Sequence, residues 1–146
     1  MIGVAALGAD KAKAGYSNYG TGKADVAAPG GTATGNCVPT VLSAGVLSTF
    51  PANTYGCISG TSMASPHAAG VAALIVSQAG TLGADGDVKL SPTAVESRLQ
   101  GSAIDQGLSG YDKCFGNGRI DAVRAVLNQT GGEYDASAPF CPEYTE

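Results

Sequence analysis

Apolar and turn-forming residues alternate along this chain in a way that predicts short strands first and helices later. Ile2 to Leu7 is an uninterrupted apolar run of strand length, suited to a strand buried on both faces. A polar turn over Gly8–Lys13 and a turn-rich loop, Gly15-Tyr16-Ser17-Asn18-Tyr19-Gly20, follow it. Asp25-Val26-Ala27-Ala28 predicts a second short strand, stopped by Pro29-Gly30-Gly31. A Gly/Thr/Asn loop from Thr32 to Val38 leads to apolar, β-branched stretches at Val41-Leu42 and Val46-Leu47-Ser48-Thr49. Pro51-Ala52-Asn53 is a turn signal, after which Tyr55 to Ile58 returns as the second arm of a hairpin.

Beyond the hairpin the period changes. From Ser62 to about Gln78 the pattern is helical, with Thr61 as cap, Pro66 in the first turn or so, and Gly80 just past the end. Both faces of this helix are apolar or tiny, which predicts a helix inside the protein. Its Ala68, Ala69, Gly70, Ala72 and Ala73 allow strands to approach closely. Gly80–Lys89 reads as a polar loop. Asp85 and Asp87 flank Gly86 there and mimic part of a calcium loop, but the full pattern is absent and a solvated turn is the better reading. Ser91 and Pro92 open another helix, with Glu96 expected in its first turn and Val95 and Leu99 on its inner face. Gly116-Asn117-Gly118 is a turn before a last amphipathic helix carrying Ile120, Ala122, Val123, Val126 and Leu127. The chain has no internal repeat. It divides into a body, residues 1–130, and a turn-rich acidic tail, 131–146, that only Cys141 marks as attached.

Composition narrows the functional classes. With 146 residues the chain has the length of one domain, and a hydrophobic share of 44% gives it a core to bury. A net charge of −4 without any basic run excludes nucleic acid and anionic membrane surfaces as expected partners. No stretch approaches the roughly 18 apolar residues of a membrane span. The apolar start, Met1 to Ala9, lacks a basic n-region and reads as strand, so any secretion signal is expected outside this chain. The cysteines Cys37, Cys57, Cys114 and Cys141 include no C-x-x-C pair, and His67 is the single histidine, which argues against a zinc site. An even count points to two disulfides and an oxidising compartment. Three connectivities are open; proximity in sequence favours Cys37–Cys57 and Cys114–Cys141, with four buried thiols as the alternative. Asn128-Gln129-Thr130 is a glycosylation sequon, a triplet that often arises by chance.

One stretch carries far more information. Gly60-Thr61-Ser62-Met63-Ala64-Ser65-Pro66-His67-Ala68-Ala69-Gly70 resembles, without a mismatch, the G-T-S-M-A-x-P-H-x-A-G nucleophile block of the subtilisin-like serine proteases, the S8 peptidases. The Tyr16-Ser17 loop, the Val26-Ala27-Ala28-Pro29-Gly30 strand and the Gly116–Val123 segment resemble the same family. The resemblance implies an α/β fold, a partial subtilisin-like three-layer arrangement with a parallel sheet and a buried central helix starting at the nucleophile serine. It implies a serine endopeptidase, secreted, acting on peptides or proteins through an acyl-enzyme. Ser62 takes the place of the nucleophile, with its own N–H as an oxyanion donor and Thr61 and Met63 close to substrate. Gly60, Pro66, His67 and Gly70 take structural places. Calcium belongs to the family, but no cofactor or metal site is assigned here.

The catalytic base decides between folds. A serine nucleophile needs an imidazole and a carboxylate. His67 follows Ser62 by five residues, a helical rotation of roughly 140° and an advance of ~7.5 Å, so the two side chains diverge and His67 is not the base. Gly60-x-Ser62-x-Ala64 also approximates the nucleophile elbow of α/β-hydrolases, but that fold needs a histidine downstream, and none follows His67. The subtilisin order of Asp, His and Ser places both partners upstream, where no histidine occurs. Asp10 and Asp25 fall in loops whose family counterparts are not catalytic, and the family's oxyanion-binding G-N segment has no match. The chain is therefore expected to be the C-terminal half of a catalytic domain, inactive and unstable alone, with an apolar sheet edge uncovered. It needs its N-terminal half for Asp and His. The alternative is a catalytically dead remnant that binds a peptide or partner.

Overall fold

The structure is a computed structural model and describes residues 1–32, 45–139 and 141. The expected strand at Val41-Leu42, the loop reaching Val38, and Cys37 lie outside those residues. Two short parallel strands, β1 (Val4–Leu7) and β2 (Val26–Pro29), form the centre, paired in register from Val4 with Val26 to Leu7 with Pro29. Single bridges widen this sheet: Arg119 joins beside Ala27, Ile104 beside Arg119, and Tyr134 beside Asp105.

The uninterrupted apolar run of β1 has the meaning expected of it. Ala6, Val26 and Ala28 face one core with Ala64, Ala68, Val71 and Ile75, while Ala5, Leu7 and Ala27 face a second core with Phe115, Cys114 and Cys141. The expected open edge is covered at its middle. Ala14 N–H donates to the Ala6 carbonyl at 2.8 Å, and the buried Ser17 hydroxyl accepts from Ala6 N–H at 2.9 Å, so the 13–17 loop satisfies β1 where a strand would otherwise pair.

The hairpin is formed as the pattern predicts, by β3 (Val46–Phe50) and β4 (Thr54–Ile58), antiparallel, with Ala52 and Asn53 at positive φ in the turn. It delivers the chain to α1 (Thr61–Ala79). Gly60, not Thr61, is the N-cap, and no side chain caps this end. Pro66 is the sixth helical residue, in the second turn, where its missing N–H deprives the Ser62 carbonyl of an intrahelical donor. Of α1's faces only one is buried, by Ala64, Ala68, Val71 and Ile75; Ala69, Gly70, Ala73 and Leu74 are exposed. The small-residue pattern predicts burial all round; among the described residues one face of α1 is packed.

Gly80–Lys89 is more ordered than a solvated loop. It folds as a two-rung hairpin, β5 (Thr81–Leu82) with β6 (Val88–Lys89), whose turn is held by the Asp85 carboxylate accepting from Lys89 Nζ and Asp87 N–H. Helix α2 (Pro92–Gly101) begins as expected, with Ser91 Oγ accepting from Ala94 N–H at 3.2 Å, although Glu96 falls in its second turn. Leu99 is buried and Val95 half-buried. Helix α3 (Ala122–Leu127) departs further from the reading. Ile120 precedes it, Ala125 is its buried residue, and Val123 and Leu127 are exposed. Arg98 binds the three helices together, donating to the carbonyls of Ala125 and Val126 at 2.6 Å each and to Gln78 Oε1 at 2.7 Å.

The tail is tied at several points besides Cys141. Glu133 and Asp135 exchange backbone hydrogen bonds with Asp105, Tyr134 Oη donates to the Gly107 carbonyl at 2.8 Å, and Asp135 pairs with Lys11 at 2.6 Å. A disulfide joins Cys114 to Cys141, as sequence proximity favoured. Cys57 is also disulfide-bonded.

Candidate active site

Ser62 is the second residue of α1 and is exposed. At a helix start the first N–H groups have no intrahelical acceptor, and the aligned peptide dipoles give that end partial positive charge. The turn before it is set by Gly60, in extended backbone with φ 167° and ψ 162°. The Gly60 carbonyl accepts from Met63 N–H at 3.0 Å and Ala64 N–H at 3.2 Å, so the N–H groups of Thr61 and Ser62 remain at the open end. A Cβ on Gly60 would lie 3.6 Å from Ser62 N.

Met63 and Pro66 lie with His67 along a cleft of about 430 Å³ between α1 and the hairpin, whose other wall includes Val46, Phe50 and Ile58. The His67 imidazole is committed along its own helix, with Nδ1 2.8 Å from the Met63 carbonyl oxygen. Among the described residues no imidazole or carboxylate bonds the Ser62 hydroxyl. Gly70 is exposed, and a Cβ there would meet nothing within 4 Å. The arrangement thus brings together Gly60, Thr61, Ser62 and Met63, and leaves His67 and Gly70 to the body of the helix.

Reading by residue type missed one part of the site. The Tyr16 hydroxyl donates toward the carbonyls of Gly30, at 2.8 Å, and Gly31, and the Gly30 carbonyl also accepts the Gly60 N–H at 2.9 Å. Burial pushes the Tyr16 phenol above the ordinary tyrosine range, partly offset by the Gly60 N–H nearby. The sequence showed Tyr16 as part of a turn-rich loop and Gly30 as a strand stop; nothing local signals that the two meet.

A small parallel sheet under a long helix that opens on an exposed serine is an α/β arrangement, compatible with part of a subtilisin-like fold. The comparisons make the assignment specific: the Peptidase_S8 model, "Subtilase family", matches residues 1–118, and the chain belongs to that family. It is 38% identical to subtilisin DY of Bacillus licheniformis over 126 residues, covering 86% of this chain and 37% of that protein. It is 44% identical to an extracellular protease of Xanthomonas campestris pv. campestris over 135 residues, covering 90% of this chain and 20% of that protein. The solved structure of a lanthipeptide protease matches with a TM-score of 0.71 at 29% identity, over 88% of this chain and 41% of that one. The chain therefore spans well under half the length of these relatives.

Proposed function

We propose that this chain is the nucleophile-bearing part of a subtilisin-like serine endopeptidase. Ser62 is its nucleophile, and the histidine and aspartate come from protein outside residues 1–146. The observation that carries the reading is the exposed Ser62 at the open N-terminus of α1, whose end no side chain caps. In this reading Ser62 Oγ attacks the carbonyl carbon of a peptide bond while its proton passes to the supplied imidazole. The carbonyl π electrons move onto oxygen, and the Ser62 N–H and the helix end stabilise that charge. The C–N bond then breaks, the leaving amine takes the proton, and water releases the acyl group from Ser62 by the same route in reverse. The half-buried Met63, beside Ser62 on the cleft, walls the leaving-group side. The disulfide and the extracellular protease among the relatives support a secreted protein, and no described helix is long and apolar enough to cross a membrane.

A fluorophosphonate probe tests this. In the protein expressed from its whole reading frame the probe is expected on Ser62, and Ser62→Ala abolishes the labelling. Residues 1–146 alone are expected to stay unlabelled. Stoichiometric labelling of that polypeptide alone would place a base within it. No labelling of either would make the chain a catalytically dead remnant that binds a peptide or partner.

A further inference from the structure

We propose that Tyr16 is a positioning residue for the nucleophile turn, its phenol fixing the Gly30-Gly31 corner on which Gly60 rests. The functional meaning of this inference rests on the reading of Ser62 as nucleophile.

Tyr16 is oriented contrary to the usual preference. A tyrosine commonly buries its ring and leaves the hydroxyl wet. Here the residue is 45% exposed, yet its hydroxyl turns inward to two carbonyl oxygens, those of Gly30 and Gly31. The loop carrying it is fixed from both sides, since Ala14 and Ser17 are buried and both hydrogen-bond Ala6 of β1.

The corner under the phenol has no slack. Gly30 and Gly31 both donate to the Leu7 carbonyl, at 2.9 and 3.0 Å. A Cβ on Gly30 would come within 2.6 Å of Ala6 Cβ, 2.8 Å of the Gly60 oxygen and 3.2 Å of Tyr16 Oη. Both acceptor sites of the Gly30 carbonyl are used, one by Tyr16 and one by Gly60 N–H. Position is thus passed from β1 through Leu7 to the glycine corner, and from there to Gly60, two residues before Ser62. Without the phenol, the Gly31 carbonyl loses a donor and the Gly30 carbonyl keeps only Gly60. The corner then keeps its N–H bonds to Leu7 but loses the side-chain donor that fixes its carbonyl face, the face on which Gly60 rests.

Hydrogen exchange on the protein expressed from its whole reading frame tests this, comparing wild type with Tyr16→Phe and Tyr16→Leu. In Tyr16→Phe the segment 58–64 is expected to exchange at least tenfold faster while α2, residues 92–101, is unchanged. With glycine labelled at its carbonyl carbon, the Gly30 and Gly31 resonances are expected to shift in the same variant. Unchanged exchange at 58–64 would overturn the proposal, as would equal acceleration in α2 or a wild-type segment already unprotected. An effect confined to Tyr16→Leu would assign the role to ring packing and overturn it too. None of these readouts depends on whether Ser62 reacts, so failure here is distinct from failure of the protease reading.

Discussion

His67 Nδ1 lies 2.8 Å from the Met63 carbonyl oxygen, one turn back along α1. That carbonyl can only accept a hydrogen bond, so Nδ1 carries the proton and donates it, and the ring is held along the helix instead of reaching around to Ser62. His67→Ala is therefore expected to cost about 1 kcal/mol of stability at most, the worth of one ordinary hydrogen bond. In the full-length protein it should leave fluorophosphonate labelling of Ser62 within about tenfold of wild type. Loss of a true base lowers the rate by roughly 10⁶-fold; a fall of that order would return His67 to the role of base.

The same helix shows how far the sequence could be read. The block from Gly60 to Gly70 was legible because its chemistry is local: a serine, a preceding glycine and a helical run sit within a few residues of one another. The two faces of β1 were legible for the same reason, from an uninterrupted apolar run. What was not legible depends on distance in sequence. The meeting of Tyr16 with Gly30, the bridge of Asp105 to Tyr134 and the fork of Arg98 across α3 join segments with no shared pattern. The exposed face of α3 misled for a different reason: Val123 and Leu127 have the spacing of a buried stripe, but this chain places Ala125 inward.

Gly70 offers a test of what covers α1. It lies mid-helix, exposed, with open space where a Cβ would go. Gly70→Ala should therefore stabilise residues 1–146 by about 1 kcal/mol, the difference in helix propensity, read as a higher urea midpoint. In the full-length protein, where the proposed remaining layer packs on this face, the added methyl should instead destabilise by about 1–3 kcal/mol. Stabilisation in both settings would mean that the small-residue face stays open and would remove the support it gives to a missing layer.

The Cys114–Cys141 disulfide closes a loop with a sequence separation of 27 residues. Both cysteines are fully buried against Leu7, Ala27 and Phe115, on the side of the sheet away from α1. Replacing the pair by alanine should cost about 3.5 kcal/mol if constraint of the unfolded chain dominates. Urea unfolding at fixed pH measures it. A loss below about 1 kcal/mol would show that the hydrogen bonds at Glu133–Asp135 hold the tail without the crosslink.

Acid should release that tail while leaving the neighbouring turn in place. The Asp135 carboxyl is held well below its ordinary range, first by its hydrogen bond from Lys11 and then by those from Ser137. A carboxyl whose folded value is depressed contributes stability above its unfolded value, near 4, and loses it as the pH falls. Asp112 has the opposite sign. Burial raises its carboxyl despite N–H donors from Phe115, Cys114 and Leu108, so its contribution is full in acid and fades as the pH rises through the raised value. Between pH 6 and 3, hydrogen exchange corrected for intrinsic rates should therefore show residues 131–139 losing protection, while 108–116 keep theirs. Asp135→Asn should show the loss already at neutral pH and add no further pH dependence of its own. High salt should weaken the wild-type contact as well, since the Lys11 side chain is 39% exposed and open to screening. Protection at 131–139 that is the same at pH 6 and pH 3 would mean that the backbone bridges to Asp105 alone hold the tail.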